Sequence, residues 1–205
     1  MIALLDYGSG NLRSAERALS STGHEVVITS DFDLSLNANG LVVPGVGAFG
    51  TCMLGLRRVQ GEELIRKRFE LDRPTLGICV GMQVLFDQSS ESPEVDGVGI
   101  FTSRIERLSA PITPHMGWNR VSAPPDSQLF HGLNDEQFYF VHSYALKESP
   151  RITGGNEDVK VSTATYGEKF IAGIEYRSLS ATQFHPEKSG DAGLQLLDNW
   201  VRSLD

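Results

Sequence analysis

Cysteine is scarce in this chain of 205 residues, which contains only Cys52 and Cys79. They could form one disulfide at most, and with no export signal in view both are expected to be free thiols in a reducing compartment. Basic residues are also in deficit, with 18 Lys and Arg against 26 Asp and Glu and a formal charge of −8. A nucleic-acid binder needs a clustered basic face to overcome that repulsion, and the sequence has none. The densest basic stretch, Arg66 to Arg68, follows Glu62 and Glu63 and reads as the mixed-charge, solvated face of a helix. No apolar run approaches the roughly 20 residues needed to span a bilayer, so no membrane association is expected. The opening MIALLDYG lacks a basic leader, which makes the cytoplasm the expected location. There is no internal repeat, low-complexity tract or linker, and residues 1–205 are expected to form a single domain. No metal or organic cofactor is expected.

The first half of the chain alternates in pattern. IALLDY reads as a buried strand and GSGN as a turn. Asn11 can cap a helix that carries Leu12, Ala15, Ala18 and Leu19, and Gly23 can end it. EVVIT, GLVVPG and RPTLGIC read as further strands. Helical segments carry Leu54, Leu56 and Val59, then Leu64, Ile65, Phe69 and Leu71, and VGMQVLFDQ reads as another helix. This order implies an α/β fold, an open and mostly parallel sheet flanked by helices. In the second half, strands are expected at GIFTSRIERL, WNRVSA, EQFYFVHSYAL, VKVSTATY, FIAGIEY and SATQFH, with a turn at Gly154–Gly155. They imply an additional antiparallel or mixed region packed on the first half. A closing amphipathic helix carries Leu194, Leu197, Val201 and Leu204.

The stretch LGICVGMQ places Cys79 where a strand ends and a helix begins. G-I-C-V-G has the form of a nucleophile elbow with a thiol in the serine's place. Amide N–H groups at the helix start favour the thiolate, and the Val80 N–H is placed to serve an oxyanion. The elbow alone leaves a buried structural cysteine equally open. A thiol nucleophile also needs a base and an orienting group. His185, just past a strand and before Pro186, can be the base, and Glu187 can hold its ring. The Gly45–Val46–Gly47 edge loop can offer a second oxyanion N–H. His24, His131, His115 and Cys52 read as structural, and GSGN reads as a turn because it lacks the third glycine and the lysine of phosphate loops.

DYGSGNLRS, PGVGAFG, LGICVGMQVLF, PHMGWNRV, YFVHSYA and TQFHPEKSG occur in that order along the whole chain. In this the sequence resembles the class I glutamine amidotransferases, whose fold is flavodoxin-like. More narrowly, PHMGWN with FVHSY resembles the glutaminase subunits of imidazole glycerol phosphate synthase, in histidine biosynthesis. The resemblance implies hydrolysis of L-glutamine to glutamate and ammonia through a Cys79 thioester, with His185 and Glu187 completing the triad. It implies an oxyanion hole from Val80 and from Val46 or Gly47, on a loop that must reorient. It implies glutamine binding by Gly45, Gln83, His142, Ser143 and Tyr144. The ammonia would pass to a separate (β/α)8 cyclase subunit that makes imidazole glycerol phosphate and AICAR. That barrel usually needs about 250 residues, more than this chain holds, so a heterodimer is implied. Met116, Trp118, Asn119 and Lys188 are implied at the interface. Val80 and Ala181 stand where the family more often has leucine and glycine, and neither change removes a catalytic group.

Overall fold

The computed structural model of the chain describes residues 1–152 and 159–204. The first half contains β1 (Ile2–Leu5), α1 (Leu12–Ser20), β2 (Val26–Thr29), α2 (Phe32–Asn37), β3 (Gly40–Gly45), α3 (Phe49–Arg58), α4 (Gly61–Glu70) and β4 (Thr75–Cys79). The apolar runs of β1, β3 and β4 are buried along their whole lengths, as strands covered on both faces must be. Each large side chain so buried contributes about 1.5–3 kcal/mol. Asn11 caps α1 by accepting from the Ser14 N–H, and Gly23 follows it with φ +86°.

The elbow then departs from expectation. VGMQVLFDQ is not one helix, because α5 is a single turn (Val80–Gln83) and β5 (Phe86–Ser89) follows directly. Its apolar residues are not periodic but continuous: every residue from Val80 to Phe86 is buried, a pattern that cannot tell helix from strand.

The second half contains β6 (Phe101–Arg107), β7 (His115–Arg120), β8 (Gln137–His142), β9 (Tyr144–Ala145), β10 (Arg151–Ile152), β11 (Lys160–Tyr166), β12 (Glu168–Tyr176), β13 (Leu179–Thr182) and α6 (Gly190–Val201). WNRVSA therefore begins its strand three residues earlier than its own sequence indicates, at His115. The turn expected at Gly154–Gly155 lies outside the described residues.

The main sheet has seven strands in the order β11-β12-β13-β4-β3-β1-β2. Strands β2, β1, β3, β4 and β13 run parallel, and β12 and β11 continue the sheet antiparallel. The late strand β13 lies directly beside β4, so residues about a hundred positions apart share one sheet edge. β7 and β8 form a separate hairpin-like ribbon, and β5, β6, β9 and β10 form a small mixed sheet.

Two helices differ from their expected faces. Arg68 is not on a solvated face. It is fully buried, and its guanidinium donates to the carbonyls of Ser35, Leu36, Ala38 and Pro74. Charge content alone could not show that a strand edge and the end of α2 would leave bare carbonyls there. In α6 the buried stripe is Gly193, Leu196, Leu197, Trp200 and Val201, which leaves Leu194 beside the stripe and partly exposed. Leu54 and Leu71 are likewise exposed.

Candidate active site

The carboxyl edge of three neighbouring strands builds the site. In an open α/β sheet that edge is where ligands bind. β3 ends in Gly45, β4 ends in Cys79, and the chain leaving β13 carries Gln183 and His185. Cys79 sits at φ 56° and ψ −111°, a conformation that non-glycine residues rarely hold. Tight packing enforces it. A Cβ on Gly81 would stand 1.9 Å from the Val43 carbonyl oxygen, and one on Gly77 would stand 2.6 Å from the Gly81 oxygen. The two glycines of G-I-C-V-G are therefore steric requirements of the turn.

A cleft of about 660 Å³ opens at this edge. Its walls include Val46, Gly47, Cys79, Val80, Gln83, His142, Ser143, Tyr144, His185 and Lys188. Cys79 thus lines the cleft although it is almost wholly buried. The His185 ring lines the cleft together with Cys79, and its Nδ1 is 2.9 Å from Glu187 Oε1. With Nδ1 held by the carboxylate, Nε2 is the nitrogen left for the sulfur. Burial alone would lower the affinity of His185 for a proton. Hydrogen bonding and charge interaction with Cys79 and with the Glu187 carboxylate outweigh burial and push its pKa up to about 10. The backbone fixes the imidazole as well, since His185 N–H donates to the Tyr139 carbonyl and Ser189 Oγ donates to the His185 carbonyl.

The sequence-derived residues fall into distinct roles. Val80 opens the single turn of α5, where its N–H has no partner within the helix. Gly45 packs against that turn, and a Cβ there would lie 2.5 Å from the Gly81 nitrogen. The Val46 N–H is engaged elsewhere: it donates to Ser9 Oγ at 3.0 Å. Ser9 Oγ in turn lies 2.9 Å from the Val46 carbonyl, which also receives the Cys52 thiol at 3.4 Å. The structural roles of Cys52 and the GSGN turn thus include bracing this loop. Burial, the largest influence on Cys52, pushes its thiol pKa up, as suits an inert protonated group.

Both ring nitrogens of His142 are occupied. Nδ1 is 2.9 Å from the Tyr144 carbonyl, and Nε2 is 3.0 Å from His115 Nδ1. Burial pulls His142 down to about 3 and His115 to about 4, so both rings are neutral. His115 stacks on Tyr166 and Phe140. Gln83 spends its amide hydrogens on the Tyr144 carbonyl and Gln183 Oε1, leaving its own Oε1 as the atom it can offer a ligand. Met116 and Trp118 project from β7 with 62% and 54% of their surfaces exposed, and Lys188 stands at the mouth of the cleft. Asn119 is half-buried, and its Nδ2 donates to the Thr165 carbonyl at the surface.

Sequence reasoning overlooked Ser9 and Gln183. Gln183 carried a usable signal. It stands two residues before His185, and residues two apart in extended chain share a side. Among the described residues no group of three or more His, Cys, Asp or Glu could hold a metal ion, and no helix is long and apolar enough to cross a membrane.

Residues 3–204 match the family model of glutamine amidotransferase class-I. The imidazole glycerol phosphate synthase subunit HisH of Nocardia farcinica is 57% identical, over 99% of this chain and 98% of its own length. The protein of the same name from Corynebacterium efficiens is 52% identical over the same shares. Among solved structures, a glutamine amidotransferase superimposes with a TM-score of 0.74 at 22% identity, covering 98% of both chains, which speaks for the fold. Elbow, ring and carboxylate meet on a scaffold whose whole length matches one family model, and the chain belongs to the class I glutamine amidotransferases.

Proposed function

We propose that this chain, acting as one domain over residues 1–205, is the glutaminase subunit of imidazole glycerol phosphate synthase. Full-length likeness to subunits of that name supports the assignment. The observation that carries it is the strained Cys79 at the end of β4, with the His185–Glu187 pair delivered by the neighbouring strand. Cys79 Sγ attacks the carboxamide carbon of L-glutamine. His185, charged beside Cys79 and Glu187, hands its proton to the departing ammonia. Glu187 holds the ring throughout. Water then cleaves the thioester, with His185 as base, and glutamate leaves. Gln83 Oε1, with the Ser143–Tyr144 segment, positions the amino acid, while the buried His142 ring supports that segment through the Tyr144 carbonyl and Gly45 packs against the Val80–Gly81 turn.

The Val80 N–H and the Val46–Gly47 loop serve the oxyanion. The Val46 N–H must first leave Ser9, which fits a subunit that is weakly active by itself. The exposed Met116 and Trp118, with Lys188 at the cleft mouth, suit docking of a (β/α)8 cyclase that receives the ammonia. The test is glutamate and ammonia release from glutamine by wild type and Cys79→Ala, each alone and with the cyclase and its nucleotide ligand. Weak activity alone, a large rise with both, and near-complete loss in Cys79→Ala are expected. Persistent hydrolysis by the variant would refute the assignment.

A further inference from the structure

The sulfur of Cys79 has a neighbour that the mechanism above does not use. Gln183 is fully buried and is not among the residues that line the cleft. Its Nε2 lies 3.8 Å from Cys79 Sγ, within the range for a sulfur acceptor. Its Oε1 accepts from Gln83 Nε2 at 2.9 Å, and that same Nε2 donates to the Tyr144 carbonyl at 2.9 Å.

The polarity of this chain is fixed from one end. A backbone carbonyl can only accept, so the Gln83 amino group must face Tyr144. That amino group then needs an acceptor in Gln183, which places Oε1 there. The end of the Gln183 amide left for the sulfur is the NH2. Turning the Gln183 amide over would oppose two donors at a buried contact, at a cost comparable to leaving a buried polar group unsatisfied.

We propose that Gln183 is a further catalytic residue, donating an N–H to Cys79 Sγ from behind the cleft and holding the sulfur as an oriented anion. The proposal rests on the glutaminase reading. Gln83, which faces the cleft, sets the orientation of Gln183, so the amide that meets the substrate is joined to the one that meets the nucleophile. When the sulfur becomes acylated it loses its negative charge and accepts this N–H more weakly. The bond therefore favours the attacking state.

The experiment measures the rate of alkylation of Cys79 by iodoacetamide against pH, with the labelled site located by mass spectrometry, in wild type, Gln183→Met and Gln183→Leu. Loss of one charge-assisted hydrogen bond should move the profile up by about one pH unit and slow alkylation at neutral pH about tenfold. With the cyclase subunit present, kcat for glutamine should fall about tenfold and KM should change less. An unmoved alkylation profile, or a change confined to KM, would overturn the proposal.

A second measurement needs no variant of Gln183. In wild type with isotope-labelled glutamine side chains, a buried amide resonance should shift when Cys79 is alkylated or replaced by alanine. If every such resonance stays in place, the bond does not exist. Alkylation needs no glutamine turnover. Absence of ammonia release from the wild-type complex would therefore refute the glutaminase reading and leave the sulfur–amide result standing.

Discussion

Ser9 Oγ touches both polar backbone atoms of Val46, accepting from its N–H and lying 2.9 Å from its carbonyl. The peptide next to the nucleophile is thus held with its donor turned to a hydroxyl. Removing the hydroxyl removes both contacts and leaves only the weaker Cys52 thiol on the carbonyl. Ser9→Ala should raise glutamine hydrolysis by the isolated chain roughly tenfold, the effect of about one hydrogen bond, while fully activated turnover stays the same. Glutamate release with and without the cyclase measures this. An unchanged basal rate would show that the loop is held by something else. The charged His185 also carries a pH signature. Its pKa is raised from 6.5 to about 10, so its contribution to stability is complete below 6.5 and fades as pH rises through about 10. Glu187→Gln removes one of the charges responsible. Its deficit in melting temperature relative to wild type should be largest near pH 6.5 and close toward pH 10.

Arg68 joins α4 to the end of α2 and to the approach to β4. The last carbonyls of a helix have no partner within it, and at the end of α2 those of Ser35, Leu36 and Ala38 turn to Arg68. Among the described residues no carboxylate is bridged to this guanidinium; carbonyl oxygens receive it instead. Burial, the main cause, lowers its pKa to about 10. Arg68→Met should therefore destabilise the fold by on the order of 3 kcal/mol, because several carbonyls would be left bare. Arg68→Lys should recover only part of that loss, since an ammonium lacks the planar fork of donors. Chemical denaturation of the three proteins decides between a shared binding role and an ordinary buried cation. The elbow is the other instructive element. With α5 reduced to one turn, no long helix axis lies behind Cys79; its sulfur has Gln183 Nε2 at 3.8 Å, and His185 shares the cleft with it.

At the scale of the molecule, two surfaces meet at the cleft. The strand edge supplies the chemistry, and the β7–β8 ribbon carries the exposed Met116 and Trp118 on one strand and leads to His142 and Tyr144 on the other. The Trp118 ring packs edge-on to Tyr139, whose carbonyl binds the His185 N–H. A partner seated on Trp118 would therefore press on a residue hydrogen-bonded to the His185 backbone. Trp118→Ala should weaken binding of the cyclase subunit at least tenfold, as loss of a central aromatic anchor does, while leaving basal hydrolysis by the isolated chain near wild type. Isothermal titration together with glutamate release separates the two effects. Unaltered affinity would move the interface elsewhere.

Much was legible in the residues themselves. Continuous apolar runs marked β1, β3 and β4 because strands buried on both faces cannot alternate, and the glycines at 77 and 81 marked the elbow because the turn admits no side chain there. Cys79, His185 and Glu187 could be named from local chemistry and family likeness. Other features depended on which distant segments came together. Pairing of β13 with β4 brings Gln183 and His185 to Cys79, and no local pattern encodes that neighbour. The Ser9–Val46–Cys52 contacts join two loops to α3, and the burial of Arg68 depends on where α2 happens to end. The sequence by itself determined which groups could react, since reactivity belongs to side-chain type and local backbone. Only the tertiary structure decided which of them are held, occupied or free, because those states depend on what packs against each group after the chain has closed on itself.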